Sequence, residues 1–110
     1  MDLTVSEMQF MQKELQETYF DKWGGLSPEK AKEQLLWLMI ELGEAADILK
    51  KSGCEAVMED AAIRDHFVEE LCDVLMYFYD ATLCFDIGPQ ELSEKFVEKF
   101  QRNMTRWQDL

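Results

Sequence analysis

Little in this chain would interrupt a helix: five glycines and two prolines are spread over 110 residues. That scarcity leaves long stretches free for helices and argues against a fold built from many tight turns. Cysteine is sparse as well. Cys54, Cys72 and Cys84 form neither a zinc spacing nor an even disulfide set. Cys72 and Cys84 fall in helical apolar pattern, where a small hydrophobe is the expected role. Basic residues number 11 against 23 acids, a formal charge of −12. A nucleic-acid backbone would be repelled by that average, so no nucleic-acid partner is expected. A small phosphorylated ligand is not excluded, because a metal ion inverts the local sign. No apolar run exceeds six residues, the stretch 35–40 being one such run, so no membrane span is expected. The start, Met1-Asp2, carries no basic-then-apolar leader, and the cysteine usage suits a reducing compartment; the expected location is cytoplasmic.

What is present is a folded composition, 47% hydrophobic with 12% aromatic, which is far from that of a disordered chain. The length fits one domain, 1–110, small enough that self-association would help it. Apolar spacing predicts four helices. The first covers residues 4–20, with Met8, Met11, Leu15 and Tyr19 at helical intervals, and stops at Trp23-Gly24-Gly25. Ser27 as N-cap and Pro28 in the first turn open the second, which runs to residue 51 and ends on Lys50, Lys51 and Gly53. Residues 52–65 read as a short turn or a loop. The third helix covers 63–85, and Gly88-Pro89 opens a fourth over 89–107, with Leu92, Phe96, Val97, Phe100 and Met104 on its apolar side. No period-two strand and no repeat is legible. The fold class is therefore all-α, in a four-helix arrangement.

Two acidic pairs interrupt this apolar patterning. Glu41 and Glu44 lie three apart in the second helix, Glu70 and Asp73 three apart in the third, with 25 residues between the pairs. Residues three apart share a helix face, and such pairs are commonly surface decoration. On a helical wheel, however, Glu41 falls among Trp37, Leu38, Ala45 and Ile48, and Glu44 lies at the edge of that arc, while Asp47 takes the polar side. Glu70 shares a face with Phe67, Val74, Tyr77 and Ala81, and Asp73 sits beside it; Glu69 points to solvent. Carboxylates in an apolar stripe are a local inconsistency of the kind that marks function. Four gathered at one place require protons or a cation. An all-oxygen donor set favours Mg²⁺, with Mn²⁺ possible, over zinc. A di-iron bundle would need Glu-x-x-His on two helices, and His66 is the single histidine; it reads as a structural or rim residue.

The stretch 36–46, which holds Glu41 and Glu44, and the stretch 69–77, which holds Glu70 and Asp73 followed by Val74-Leu75, resemble the signature of the MazG-like all-α nucleoside triphosphate pyrophosphohydrolases. The fourth helix adds Lys99, Asn103 and Arg106 in a Lys-x-x-x-Asn-x-x-Arg pattern similar to that family's, preceded by Gly88-Pro89-Gln90-Glu91-Leu92. The resemblance spans about residues 23–106. It departs at Ile40, where many members carry a further Glu.

The resemblance implies a MazG-like domain that forms a homodimer or homotetramer, with nucleotide clefts near subunit contacts. It implies Mg²⁺ on Glu41, Glu44, Glu70 and Asp73, which are also the catalytic residues. Lys99, Asn103, Arg106 and Tyr77 would bind the substrate, and the reaction would hydrolyse a (deoxy)nucleoside triphosphate to its monophosphate and pyrophosphate in nucleotide-pool house-cleaning. One of the four carboxylates, or Asp80, would be the general base. Trp23 and Trp37 are candidates for stacking on a base, Trp37 being expected in the core. Met8, Phe10, Met11 and Leu15 suggest an assembly surface. The alternatives are a non-catalytic nucleotide-binding or protein-interaction module, which Ile40 favours, and a purely structural bundle, which leaves Glu41 and Glu70 unexplained.

Overall fold

The computed structural model describes residues 1–108, and these contain helices and no strand. Helix α1 (Val5–Thr18) starts at a reciprocal cap. The backbone N–H of Glu7 donates to Thr4 Oγ1 at 3.1 Å, and Thr4 N–H donates to Glu7 Oε1 at 2.9 Å, which satisfies two donors that a helix start leaves orphaned. The expected single helix to residue 20 breaks at Tyr19. A four-residue helix α2 (Phe20–Trp23) follows. It ends because Gly24 and Gly25 both take the left-handed region, φ 78° and 77°, where a side chain is disfavoured. A Cβ on Gly25 would also meet the Phe20 ring at 2.7 Å.

A 3₁₀ turn (Pro28–Lys30) leads into α3 (Ala31–Ser52). Ser27 holds the cap position with extended backbone, but its side chain caps nothing; the Lys30 N–H bonds to the Ser27 carbonyl instead. That part of the expectation is corrected: Pro28 offers no N–H, and the tight turn satisfies its first donor through the main chain. Lys50 and Lys51 do occupy the last turn of α3, and Gly53, at φ 85°, ends it. The ambiguous stretch contains α4 (Cys54–Glu59), and Asp60 then caps α5 (Ala61–Cys84) by accepting from the N–H groups of Ala62 and Ile63. Helix α6 (Pro89–Arg106) has proline in its first turn. Four long helices are present as the apolar spacing predicts, with α2 and α4 as short additions.

The α3–α5 pair is the centre of the fold, with α1 and α4 against α5; α6 packs on α1 and on no other helix among the described residues. Trp37 meets Tyr77 and Glu41 meets Glu70, so numbers rise on α3 as they fall on α5 and the two helices run antiparallel. The interior is thin. No large side chain is fully buried, and Leu35, Leu36, Met39, Ile40, Leu71 and Leu75 on the central helices are exposed. Cys84 is buried, but Cys72 is exposed and so does not fill the core role expected of it. No helix is long and apolar enough to cross a membrane among the described residues.

Candidate functional site

Glu41 and Glu44 on α3 and Glu70 on α5 bring one carboxylate oxygen each to within 4.8 Å of one another. Helix spacing places the first two on one face, and antiparallel packing sets Glu70 opposite them. Glu70 is only 8% exposed. Its Oε1 lies 3.2 Å from Nε2 of His66, one turn earlier, which makes His66 a rim partner. With every carboxyl ionised, the buried Oε2 of Glu70 has no donor at all. The chain can ease this only with a proton: the Glu41 carboxyl donates to Glu70 and is pushed up to about 7, by that bond first, then by burial and by the charges of Glu44, Glu70 and Asp73. The same bond, helped by Glu44 and His66, holds Glu70 below its ordinary value against the effect of burial.

Asp73 stands outside the trio, a turn further along α5, where it faces the adjoining cleft. Burial, then the Glu70 charge, raises its pKa. An orphaned buried oxygen beside two more carboxylates is the setting a hard cation fits.

The cleft next to the trio has a volume of about 570 Å³, within the range of small-ligand pockets. Glu41, Asp73 and Tyr77 line it, and so do Trp23, Trp37 and Asp80. Trp37 is 44% exposed; the expectation that it is core is corrected, because the cleft lies open on its side of α3. Its ring stands nearly parallel to that of Tyr77, 16° between planes and 6.4 Å between centroids. Burial raises the Tyr77 hydroxyl, and the charges of Glu41, Asp73 and Asp80 add to it, so the phenol lies between the trio and Asp80.

Lys99, Asn103 and Arg106 are exposed on α6, and none lines the cleft of its own chain. The cations that do line it are Lys22 and Lys30, from the turn region after α1. The sequence reading also missed Gln12 and Gln16, both lining the cleft. The signal was there: Gln9, Gln12 and Gln16 share one face of α1, and the two buried residues of α1 are Gln9 and Gln12. The apolar spacing of Met8, Met11 and Leu15 dominates the pattern of α1 and masks it. Phe10, Met11 and Leu15 are exposed instead.

No family model matches this chain, and neither does any curated protein or solved structure with which it was compared.

Proposed function

We propose that this protein is a MazG-like, Mg²⁺-dependent nucleoside triphosphate pyrophosphohydrolase, releasing a nucleoside monophosphate and pyrophosphate. The single observation that carries this reading is the carboxylate trio with its orphaned Glu70 oxygen, joined through Glu41 to a nucleotide-sized cleft. Glu41, Glu44 and Glu70 would hold the cation, with Asp73 completing the set. Bound there, Mg²⁺ (or Mn²⁺) supplies charge neutralisation of phosphate oxygens and acidification of water. The proton of an attacking water would pass to whichever of these four carboxylates the cation leaves free to accept it. Asp80 is two helical turns, about 10 Å of rise, beyond Asp73, which removes it from that role.

The reading includes self-association to a homodimer or homotetramer. Phe96 is 73% exposed on α6, and Phe100 and Met104 continue its stripe. Exposed apolar area on this scale favours a partner surface. Lys99, Asn103 and Arg106 share a face with Leu92 and Phe96. Packing that face on a second copy would carry them towards its cleft, where they would meet phosphates.

The test is pyrophosphate release from a panel of ribo- and deoxynucleoside triphosphates with Mg²⁺ or with EDTA. Metal-dependent pyrophosphate and a monophosphate product support the reading. No turnover, with nucleotide binding retained, would leave a non-catalytic nucleotide-binding module.

A further inference from the structure

The end of the cleft away from the trio holds a second carboxylate that metal chemistry does not use. Asp80 is 3% exposed, and on the cleft floor it meets two amides from α1. Gln12 Nε2 donates to its Oδ1 at 2.8 Å and Gln16 Nε2 to its Oδ2 at 3.2 Å. No cation pairs with it among the described residues. Lys30 is at this end of the cleft, since its charge and that of Asp80 both act on the Cys84 thiol, but its ammonium donates to the Trp23 carbonyl. Burial raises the Asp80 pKa and the two amide hydrogen bonds oppose that rise.

Burying a carboxylate against neutral amides alone is a costly way to hold two helices together; apolar side chains of similar volume would do it as well or better. An ionised carboxylate accepts at about four lone-pair positions. Two are taken by Gln12 and Gln16, which fix the plane of the group and leave acceptor capacity towards the cleft. Along α5 the order is Asp73, Tyr77, Asp80, all within one face at four- and three-residue steps. The flat rings of Tyr77 and Trp37 thus stand between the phosphate-side carboxylates and Asp80, where a base would lie if its phosphates met the trio.

We propose that Asp80, set by Gln12 and Gln16, is the base-reading residue of this cleft, accepting a hydrogen bond from an exocyclic amino group. The inference rests on the nucleotide reading above and specifies which nucleotides: those with cytosine-, adenine- or guanine-type bases, over the counterparts in which a carbonyl replaces the amine. A carbonyl oxygen turned towards a buried carboxylate leaves both acceptors unpaired and repelling, and sites of this kind reject the wrong partner strongly.

The experiment uses the full chain and nucleoside monophosphates, which undergo no hydrolysis of an α–β bond. Calorimetric titration in Mg²⁺ compares CMP with UMP, AMP with IMP, and GMP with XMP. The amino member is expected to bind at least about 10-fold tighter in one pair or more. In Asp80→Asn that gap closes or reverses, because an amide can turn its NH₂ to a carbonyl. Equal affinities within all three pairs, or no binding by any of the six, overturn the inference without needing a variant. So does a loss in Asp80→Asn that is the same for both members of a pair, which would leave Asp80 structural. Pyrophosphate release measured alongside separates the two readings. Turnover without an amino preference sinks the base-reading role alone, whereas an amino preference without turnover sinks the hydrolase alone.

Discussion

Trp37 on α3 and Tyr77 on α5 both line the cleft, with ring planes 16° from parallel and centroids 6.4 Å apart. Each is one turn from a carboxylate of the candidate site on its own helix, Glu41 and Asp73. The aromatic pair and the acidic group are therefore one construction, set by antiparallel packing of two helices with the same spacing. Trp37→Ala is expected to weaken nucleotide binding by roughly 10-fold or more, the worth of one base–aromatic stack. The loss should fall on KM with kcat nearly kept. Steady-state kinetics would check the split, and a fall in kcat alone would count against stacking.

Removing charge from the trio should separate folding from function. Glu41→Gln and Glu70→Gln are expected to keep their helices, since each relieves repulsion among carboxylates. Pyrophosphate release should fall by at least about 100-fold. Circular dichroism with the activity assay tests both halves of the expectation. Full activity in both variants would show that the cation, if any, sits elsewhere.

The pH dependence has a definite sign. Glu41 is raised to about 7 from an ordinary 4.5. Between those values the folded metal-free chain holds a proton that the unfolded chain has lost, so stability falls as pH rises through that window. The lowered Glu70 acts in the opposite sense, below its ordinary value. Thermal midpoints without metal should therefore be higher at pH 5.5 than at pH 8. Saturating Mg²⁺ should reverse the order, because a cation takes the place of the proton. A midpoint indifferent to Mg²⁺ at pH 8 would argue against a site here.

A separate test concerns the link between α1 and the end of α5. Gln9 Nε2 donates to Thr82 Oγ1 at 3.0 Å and to the Ile87 carbonyl at 2.9 Å, and Gln9 is buried. Gln9→Ala leaves both acceptors without that donor and should cost about 1–3 kcal/mol. Urea unfolding measures it.

The four long helices and their acidic pairs were legible because apolar period and carboxylate spacing are local properties. Asp60, by contrast, reads as one more surface acid until its position relative to Ala62 and Ile63 is known. The glutamine face of α1 was hidden for a different reason. Periodicity arguments assume that the apolar side of a helix faces inward, whereas α1 turns Gln9 and Gln12 to α5 and leaves Phe10 and Met11 outside. The four-helix count missed α2 and α4 because each is too short to show a period. Lys99, Asn103 and Arg106 follow a legible spacing, but they lie away from the cleft of their own chain because α6 packs on α1 and not on the α3–α5 pair.

Self-association is open to a direct check. Phe96→Glu with Phe100→Glu places two charges in the exposed stripe of α6 and is expected to shift the protein to monomer, read by light scattering. Pyrophosphate release should fall with it if the α6 cations act on a neighbouring cleft. An unchanged mass would overturn α6 as an assembly surface.

Helix α5 carries Glu70, Asp73, Tyr77 and Asp80 along 24 residues without a break. It works as a ruler. No hinge lies between the marks, so their separations along the helix axis are multiples of about 1.5 Å and cannot be retuned by a loop. Inserting one residue between Asp73 and Tyr77 would rotate every later mark by about 100° and turn Asp80 away from the cleft, while Glu70 and Asp73 stayed where they are.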